Sequence, residues 1–205
     1  LNTSYLLHIT NHTHDFTSRD LYIVDEADTL EQSLMGFIEV SIGARLMSDL
    51  DLGLPRFVTK PESWHEWLIQ VVIPRLEADV KSPIYRQGRF ADKVPVDVRL
   101  LRRLKTLTQL IDKLQKVAGE VLGGGWVFDD YQRGRATFRP IKVDAFGSEY
   151  LWQHGGKWLL MSATIISPDS MAESLGWEKD FGVVRVPSTF PVENRPIYVT
   201  PVALM

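Results

Sequence analysis

Two short apolar runs near opposite ends of the chain, Leu21-Tyr22-Ile23-Val24 and Lys157-Trp158-Leu159-Leu160-Met161, each stop abruptly at acidic or small hydroxyl residues. Runs of this length bounded by polar residues read as strands buried on both faces of a mostly parallel sheet. Tyr5-Leu6-Leu7-His8-Ile9-Thr10, Val183-Val184-Arg185-Val186 and Ile197-Tyr198-Val199 have the same character. Strand-rich ends therefore enclose a middle of roughly 100 residues with a different period.

That middle is mainly helical. Leu34, Phe37, Ile38, Ile42 and Leu46 recur three and four apart, predicting one amphipathic helix from Leu30 to Leu50, ended by Asp49, Asp51 and Gly53. Thr59 with Glu62 has the form of a capping box ahead of Trp64, Trp67, Leu68, Val71 and Val72, and Pro74 should break or kink the helix that follows. The clearest helix spans Val96 to Leu122, with Leu100, Leu101, Leu104, Leu107, Leu110, Ile111, Leu114, Val117, Ala118 and Val121 on one stripe and three glycines after it. The period then falls to two. Trp126 to Phe128 and Ala136 to Ile141 flank Gln132-Arg133-Gly134, predicting a hairpin with Gly134 at its turn. Short helices are expected from Phe146 to Gln153 and, after Ser167-Pro168, from Asp169 to Leu175.

An apolar content of 44% with six tryptophans in 205 residues is enough for a core. The formal net charge of −3 gives no bulk attraction to nucleic acid, so any DNA contact must come from a local basic face. Such a face is present in the sequence. From Asp15 to Asp51 about nine acidic residues oppose two basic ones, whereas from Arg86 to Lys116 about nine basic residues oppose three acidic ones. The absence of cysteine excludes disulfides, cysteine-ligated zinc and an iron–sulfur cluster within these residues, and a cytoplasmic setting is expected. No apolar run approaches the roughly 20 residues that span a bilayer, and Leu1-Asn2-Thr3-Ser4 does not look like a signal peptide, so no membrane role is expected.

Chemistry is concentrated where the strands end. Ile23-Val24-Asp25-Glu26-Ala27-Asp28 delivers two adjacent carboxylates to the C-terminal end of a strand, the position at which parallel α/β sheets bind ligands. Magnesium takes hard oxygen ligands and retains waters, so Asp25 suits a magnesium ligand and Glu26 a group that orients an attacking water. The same letters would also serve as the acidic first turn of a helix. Leu159-Leu160-Met161-Ser162-Ala163-Thr164 ends in hydroxyl side chains able to hydrogen-bond to that acidic box.

The order of these two constellations resembles motif II and motif III of superfamily 2 helicases, and further segments resemble the DinG/XPD branch. Ile9-Thr10-Asn11-His12 is similar to the branch's Asn-His pair before the acidic box. The roughly 130 residues between Ala27 and Ser162 suit its arch insertion, and Phe138-Arg139-Pro140-Ile141-Lys142-Val143 resembles the proline strand leading back from the arch. Ser174-Leu175-Gly176-Trp177 and Val186-Pro187-Ser188-Thr189-Phe190-Pro191 look like its later motifs. One position departs: Asp28 stands where the branch usually has histidine, so the polar link to motif III is expected to differ.

The resemblance implies an α/β fold, part of a RecA-like parallel-sheet motor domain interrupted by a mainly helical arch insertion with a short β-hairpin. Residues 1–29 would belong to motor domain 1, 30–143 to the arch-like insertion, and 144–205 to motor domain 1 again and the start of the link to motor domain 2. It implies a part of an ATP-dependent DNA helicase of the DNA-repair type, using ATP and Mg2+, translocating on single-stranded DNA, and cytoplasmic or, in a bacterium, nucleoid-associated. Asp25 would hold magnesium, Glu26 would activate water, and Ser162 with Thr164 would couple the nucleotide site to strand movement. The iron–sulfur cluster of many relatives lies upstream of the acidic box, so the parent protein's cluster content stays open. No Gly-x-x-x-x-Gly-Lys-Ser/Thr occurs, so this chain by itself is not expected to turn over ATP. Its expected partners are single-stranded DNA, the phosphate-binding part of motor domain 1, and motor domain 2.

Arg86, Arg89, Arg99, Arg102, Arg103 and Lys105, with Lys93, Lys113 and Lys116, offer a path for a phosphate backbone, and Tyr85 and Phe90 offer aromatic stacking. The same cations would equally form the solvated face of an amphipathic helix. Trp64 and Trp67, at helical spacing, are expected in the core, and His12 and His14 are expected at a loop or sheet end. A non-catalytic module that binds single-stranded DNA or a partner protein is the alternative function, and a scaffold domain with decayed motifs the third.

Overall fold

The computed structural model describes residues 2–13, 18–82, 98–129 and 134–187. The fold is mixed α/β, with a two-stranded parallel sheet and a separate three-stranded antiparallel sheet. Strand β1 (Arg19–Val24) pairs in parallel with β5 (Gly155–Leu160), placing Tyr22 beside Trp158 and Val24 beside Leu160. A Cβ on Gly155 would lie 2.5 Å from the Tyr22 ring, so glycine there leaves room for Tyr22 to stack on Trp158 at 4.4 Å. Tyr22 and Val24 are buried, but Leu21 and Ile23 on the other face are 51% and 60% exposed. The sheet is thus covered on one face among the described residues, not on both as the apolar runs predict.

The segment before β1 is helical, correcting the expected strand from Tyr5 to Thr10. Helix α1 (Thr3–His8) runs into a π-helical turn at Ile9–Thr13. Asn2 caps it by accepting from the Ser4 and Tyr5 amides, and the Thr10 and Asn11 side chains donate back to the Leu6 and Leu7 carbonyls. Local capping by short polar side chains here outweighs the strand-like apolar pattern.

The helix expected from Leu30 to Leu50 is also divided. Helix α2 (Leu30–Ile38) stops, Val40–Ile42 forms β2, and α3 (Ala44–Asp49) follows. Strand β2 pairs antiparallel with β4 (Ala136–Pro140), which pairs in turn with β3 (Trp126–Asp129), giving the order β2-β4-β3. β-Branched Val40 and Ile42 are fully at home in this pleat, both buried, and that tertiary pairing overrides the helical spacing. The predicted hairpin of β3 and β4 forms, with Gly134 at φ +70°; Gln132 and Arg133 lie outside the described residues.

The helical middle is built from α4 (Pro61–Trp67), a π-helical turn at Leu68–Val72, α5 (Ile73–Val80) and the long α6 (Val98–Glu120). The predicted capping box is not made: Lys60 holds the cap position without a side-chain bond, and Pro61 opens the helix. Proline inside a helix lacks an N–H and clashes with the carbonyl four residues back. The wider π turn, closed by the Ile73 amide on the Leu68 carbonyl, carries the helix past Pro74. Leu104, Leu107, Ile111, Leu114 and Val117 of α6 pack with Trp64, Trp67, Leu68, Val72 and Leu76 in one continuous core. Both tryptophans are core residues as expected, their indole N–H groups donating to the Val58 and Gly53 carbonyls. None of the helices among the described residues is long and apolar enough to cross a membrane.

After the hairpin, α7 (Asp144–Tyr150) and a 3-10 turn at Trp152–His154 lead into β5, and α8 (Pro168–Ser174) follows with Ser167 as its cap. Val183 to Val186 form no strand; Val184 and Val186 are 88% and 84% exposed, with no neighbouring strand to pair with among the described residues. Ile197 to Val199 lie outside the described residues. Helix α8 ends in a Schellman arrangement, the Trp177 amide on the Ala172 carbonyl and the Gly176 amide on the Glu173 carbonyl. Gly176 has φ +64°, and a Cβ there would sit 2.0 Å from the Asp144 carbonyl oxygen. Gly176→Ala should therefore lower the unfolding free energy by at least about 1 kcal/mol, read by urea unfolding. Gly182→Ala, which meets nothing within 4 Å, should leave it unchanged.

Candidate active site

The sheet register fixes where the polar residues go. Beyond the paired strands, the Met161 amide donates to the Val24 carbonyl at 2.9 Å and the Ala27 amide donates to the Met161 carbonyl at 3.0 Å. The two segments are therefore laced together as they leave the sheet, with Asp25, Glu26 and Asp28 on one and Ser162 and Thr164 on the other. Asp25 and Glu26 are exposed at the C-terminal end of β1.

Glu26 adopts a left-handed backbone, φ 50° and ψ 46°. For a non-glycine residue this costs on the order of 1 kcal/mol and persists only where its surroundings hold it. Here its amide donates to Asp25 Oδ1 at 3.0 Å, while its carbonyl accepts from both the amide and the hydroxyl of Thr29. The strain turns the chain out of the strand at once, buries Ala27 and starts a 3-10 turn at Ala27–Thr29.

Asp28 is the group that meets the second constellation. Ser162 Oγ donates to Asp28 Oδ1 at 2.6 Å across a sequence separation of 134 residues. The Thr164 amide donates to Ser162 Oγ at 3.1 Å, and the two hydroxyls lie 3.0 Å apart. The hydrogen bond from Ser162, reinforced by Thr164, holds the Asp28 carboxyl below its ordinary range. A polar link between acidic box and Ser-Ala-Thr segment is thus present, and aspartate supplies it.

Asn11 provides a further connection. Its Nδ2 donates to the Leu7 and Tyr150 carbonyls at 2.9 and 3.0 Å, and its Oδ1 lies 2.9 Å from His154 Nε2. The segment before β1 is thereby tied to the segment that enters β5. His12 packs its ring on His8 and Phe37 in the π-helical turn, whereas His14 lies outside the described residues.

The expected DNA-contacting residues divide. Arg99, Arg102 and Lys105 are exposed and spaced three apart on α6. Arg103 forms an ion pair with Asp79 of α5 at 3.7 Å. Lys113 and Lys116, also assigned to the basic path by sequence, turn instead toward a group of aromatic rings on α2 and α7. Arg86, Arg89, Lys93, Tyr85 and Phe90 lie outside the described residues. No sequence pattern signals the left-handed backbone of Glu26, and the inward turn of Lys113 is signalled only by position 113 bordering the apolar stripe of α6.

No family model matches the chain, and no curated protein matches it.

Because the folded-state value of Asp28 is depressed, the Asp28–Ser162 link holds at neutral pH. It is present above the ordinary carboxylate range and is lost as pH falls through the lowered value. A side-chain carboxyl NMR titration should show the Asp28 midpoint below that of an ordinary aspartate, rising toward it in Ser162→Ala.

Proposed function

We propose that this chain is the acidic-box to Ser-Ala-Thr part of a DinG/XPD-type superfamily 2 DNA helicase: a RecA-like parallel sheet, with an arch-like insertion, serving an ATP-driven motor on single-stranded DNA. The observation that carries the proposal is the 2.6 Å hydrogen bond from Ser162 to Asp28, which joins two sequence-distant motifs at the C-terminal ends of adjacent parallel strands. The strained backbone at Glu26 supports it, because backbone strain collects where a side chain must be aimed.

The donor set fits magnesium, which takes one or two carboxylates and keeps waters and phosphate oxygens in its remaining positions. Asp25 would hold it, with one carboxylate oxygen already fixed by the Glu26 amide. When bound, magnesium neutralises the charge on the transferring phosphoryl group. Glu26, turned out of the strand by its left-handed backbone, would orient the attacking water. Ser162 and Thr164 would report the state of that site to the DNA path through Asp28. The phosphate-binding loop and a second motor domain would be contributed by other parts of the full protein.

The exposed row Arg99, Arg102 and Lys105 favours a second reading, a module that grips a phosphate backbone without hydrolysis. The two readings separate experimentally. In a protein joining this chain to a phosphate-binding loop and a second motor domain, Glu26→Gln should cut ATP hydrolysis by about 10²–10⁴-fold while nucleotide binding is retained. Unchanged hydrolysis would remove Glu26 from the mechanism. Fluorescence anisotropy of labelled single-stranded DNA with this chain should show binding that weakens with salt and is lost in Arg102→Glu/Lys105→Glu. No binding at low salt would leave that face as solvated surface.

A further inference from the structure

Away from the acidic box, α6, α7 and the end of α2 enclose a cleft of about 430 Å³. Its size falls within the range of about 300–1,000 Å³ usual for small-molecule sites. Trp126 and Phe146 line it as buried rings, and Phe37 and Tyr150 line it as half-buried ones, in an edge contact at 5.4 Å.

Two lysines three apart on α6 reach into this cleft with different surroundings. Lys116 is neutralised: its Nζ lies 2.7 Å from Glu149 Oε2 and 3.1 Å from the Tyr150 hydroxyl. Lys113 has no such counter-charge. It donates to the Phe37 carbonyl at 3.2 Å, its Nζ is 5.3 Å from the Phe37 ring centre, and it forms no ion pair among the described residues. Its half-burial costs solvation and pulls its pKa below the ordinary lysine range. Asp112 lines the cleft too, but its side chain is solvent-exposed.

A partly dehydrated ammonium with donors to spare, set beside flat apolar rings, is complementary to a ligand with a planar ring and an anionic group. We infer that the cleft binds one nucleotide, its base against the Phe37 and Tyr150 rings and its phosphate on Lys113. This inference stands on the cleft and not on the helicase reading. A free mononucleotide and one unit of a single strand share the required chemistry.

Isothermal titration with thymidine 5′-monophosphate, thymidine, inorganic phosphate and oligothymidylate tests it. Lys113→Gln should weaken binding of the nucleotide by about tenfold or more, while Arg45→Gln, an exposed cation outside the cleft, leaves mononucleotide binding unchanged. Binding of the monophosphate above thymidine and phosphate identifies a free-nucleotide site. Lys113-dependent binding of oligothymidylate alone identifies a strand subsite. Independently of any variant, bound nucleotide should slow acetylation of Lys113 in the unaltered chain. Inorganic phosphate binding as well as the nucleotide, binding indifferent to Lys113→Gln, or absence of protection would each overturn the proposal.

Discussion

The parallel pairing of Arg19–Val24 with Gly155–Leu160 is the contact on which the other features depend. It brings together segments about 130 residues apart, and its backbone ladder continues through Met161 and Ala27 to the point where side-chain chemistry begins. Without that register Asp28 and Ser162 would have no reason to meet. The register itself rests on a small allowance, the missing side chain of Gly155 beneath the Tyr22 ring. A one-residue slip would turn Tyr22 and Val24 outward and exchange the buried face for the exposed one.

Apolar packing and the exposed polar constellation lie in different parts of the chain. The apolar burial is concentrated between α4, α5 and α6 and against β4, where Phe138 is fully buried and meets the rings of Trp64 and Phe128 edge-on. The acidic box and its hydroxyl partners are mostly exposed and held by hydrogen bonds, not by packing. The junction between the two parts is made by polar side chains as well, with Asn11 spanning from α1 to the end of α7.

Sequence legibility followed the range of the interaction. The long helix α6, the hairpin of β3 and β4, strands β1 and β5 and the cap at Ser167 were readable because each is signalled by its own residues. Tyr5 to Thr10 misled because an apolar run does not reveal whether a partner strand exists, and Asn2 settled the matter locally. The break of the second helix at Val40 was invisible because its cause, Ala136 to Phe138, lies almost a hundred positions away. In the candidate site the residues Asp25, Glu26, Ser162 and Thr164 were legible as two motifs. Their meeting through Asp28, and the backbone strain at Glu26, required the sheet. The basic stretch was only half legible, since charge alone does not separate Arg102, facing water, from Lys113, facing aromatic rings.

The ladder between Val40–Ile42 and Ala136–Phe138 has a kinetic consequence. It fastens the two ends of the helical lobe to each other, so a chain in which the lobe has already formed behaves as though that stretch were cut out. The loop closed when β1 finds β5 then shrinks from about 130 residues to roughly thirty, reducing the closure entropy by roughly 1 kcal/mol. The lobe, rich in local contacts, would form first, and the parallel sheet would assemble late upon it. In that order of events the acidic box and the Ser-Ala-Thr segment are the last parts of the molecule to be brought together.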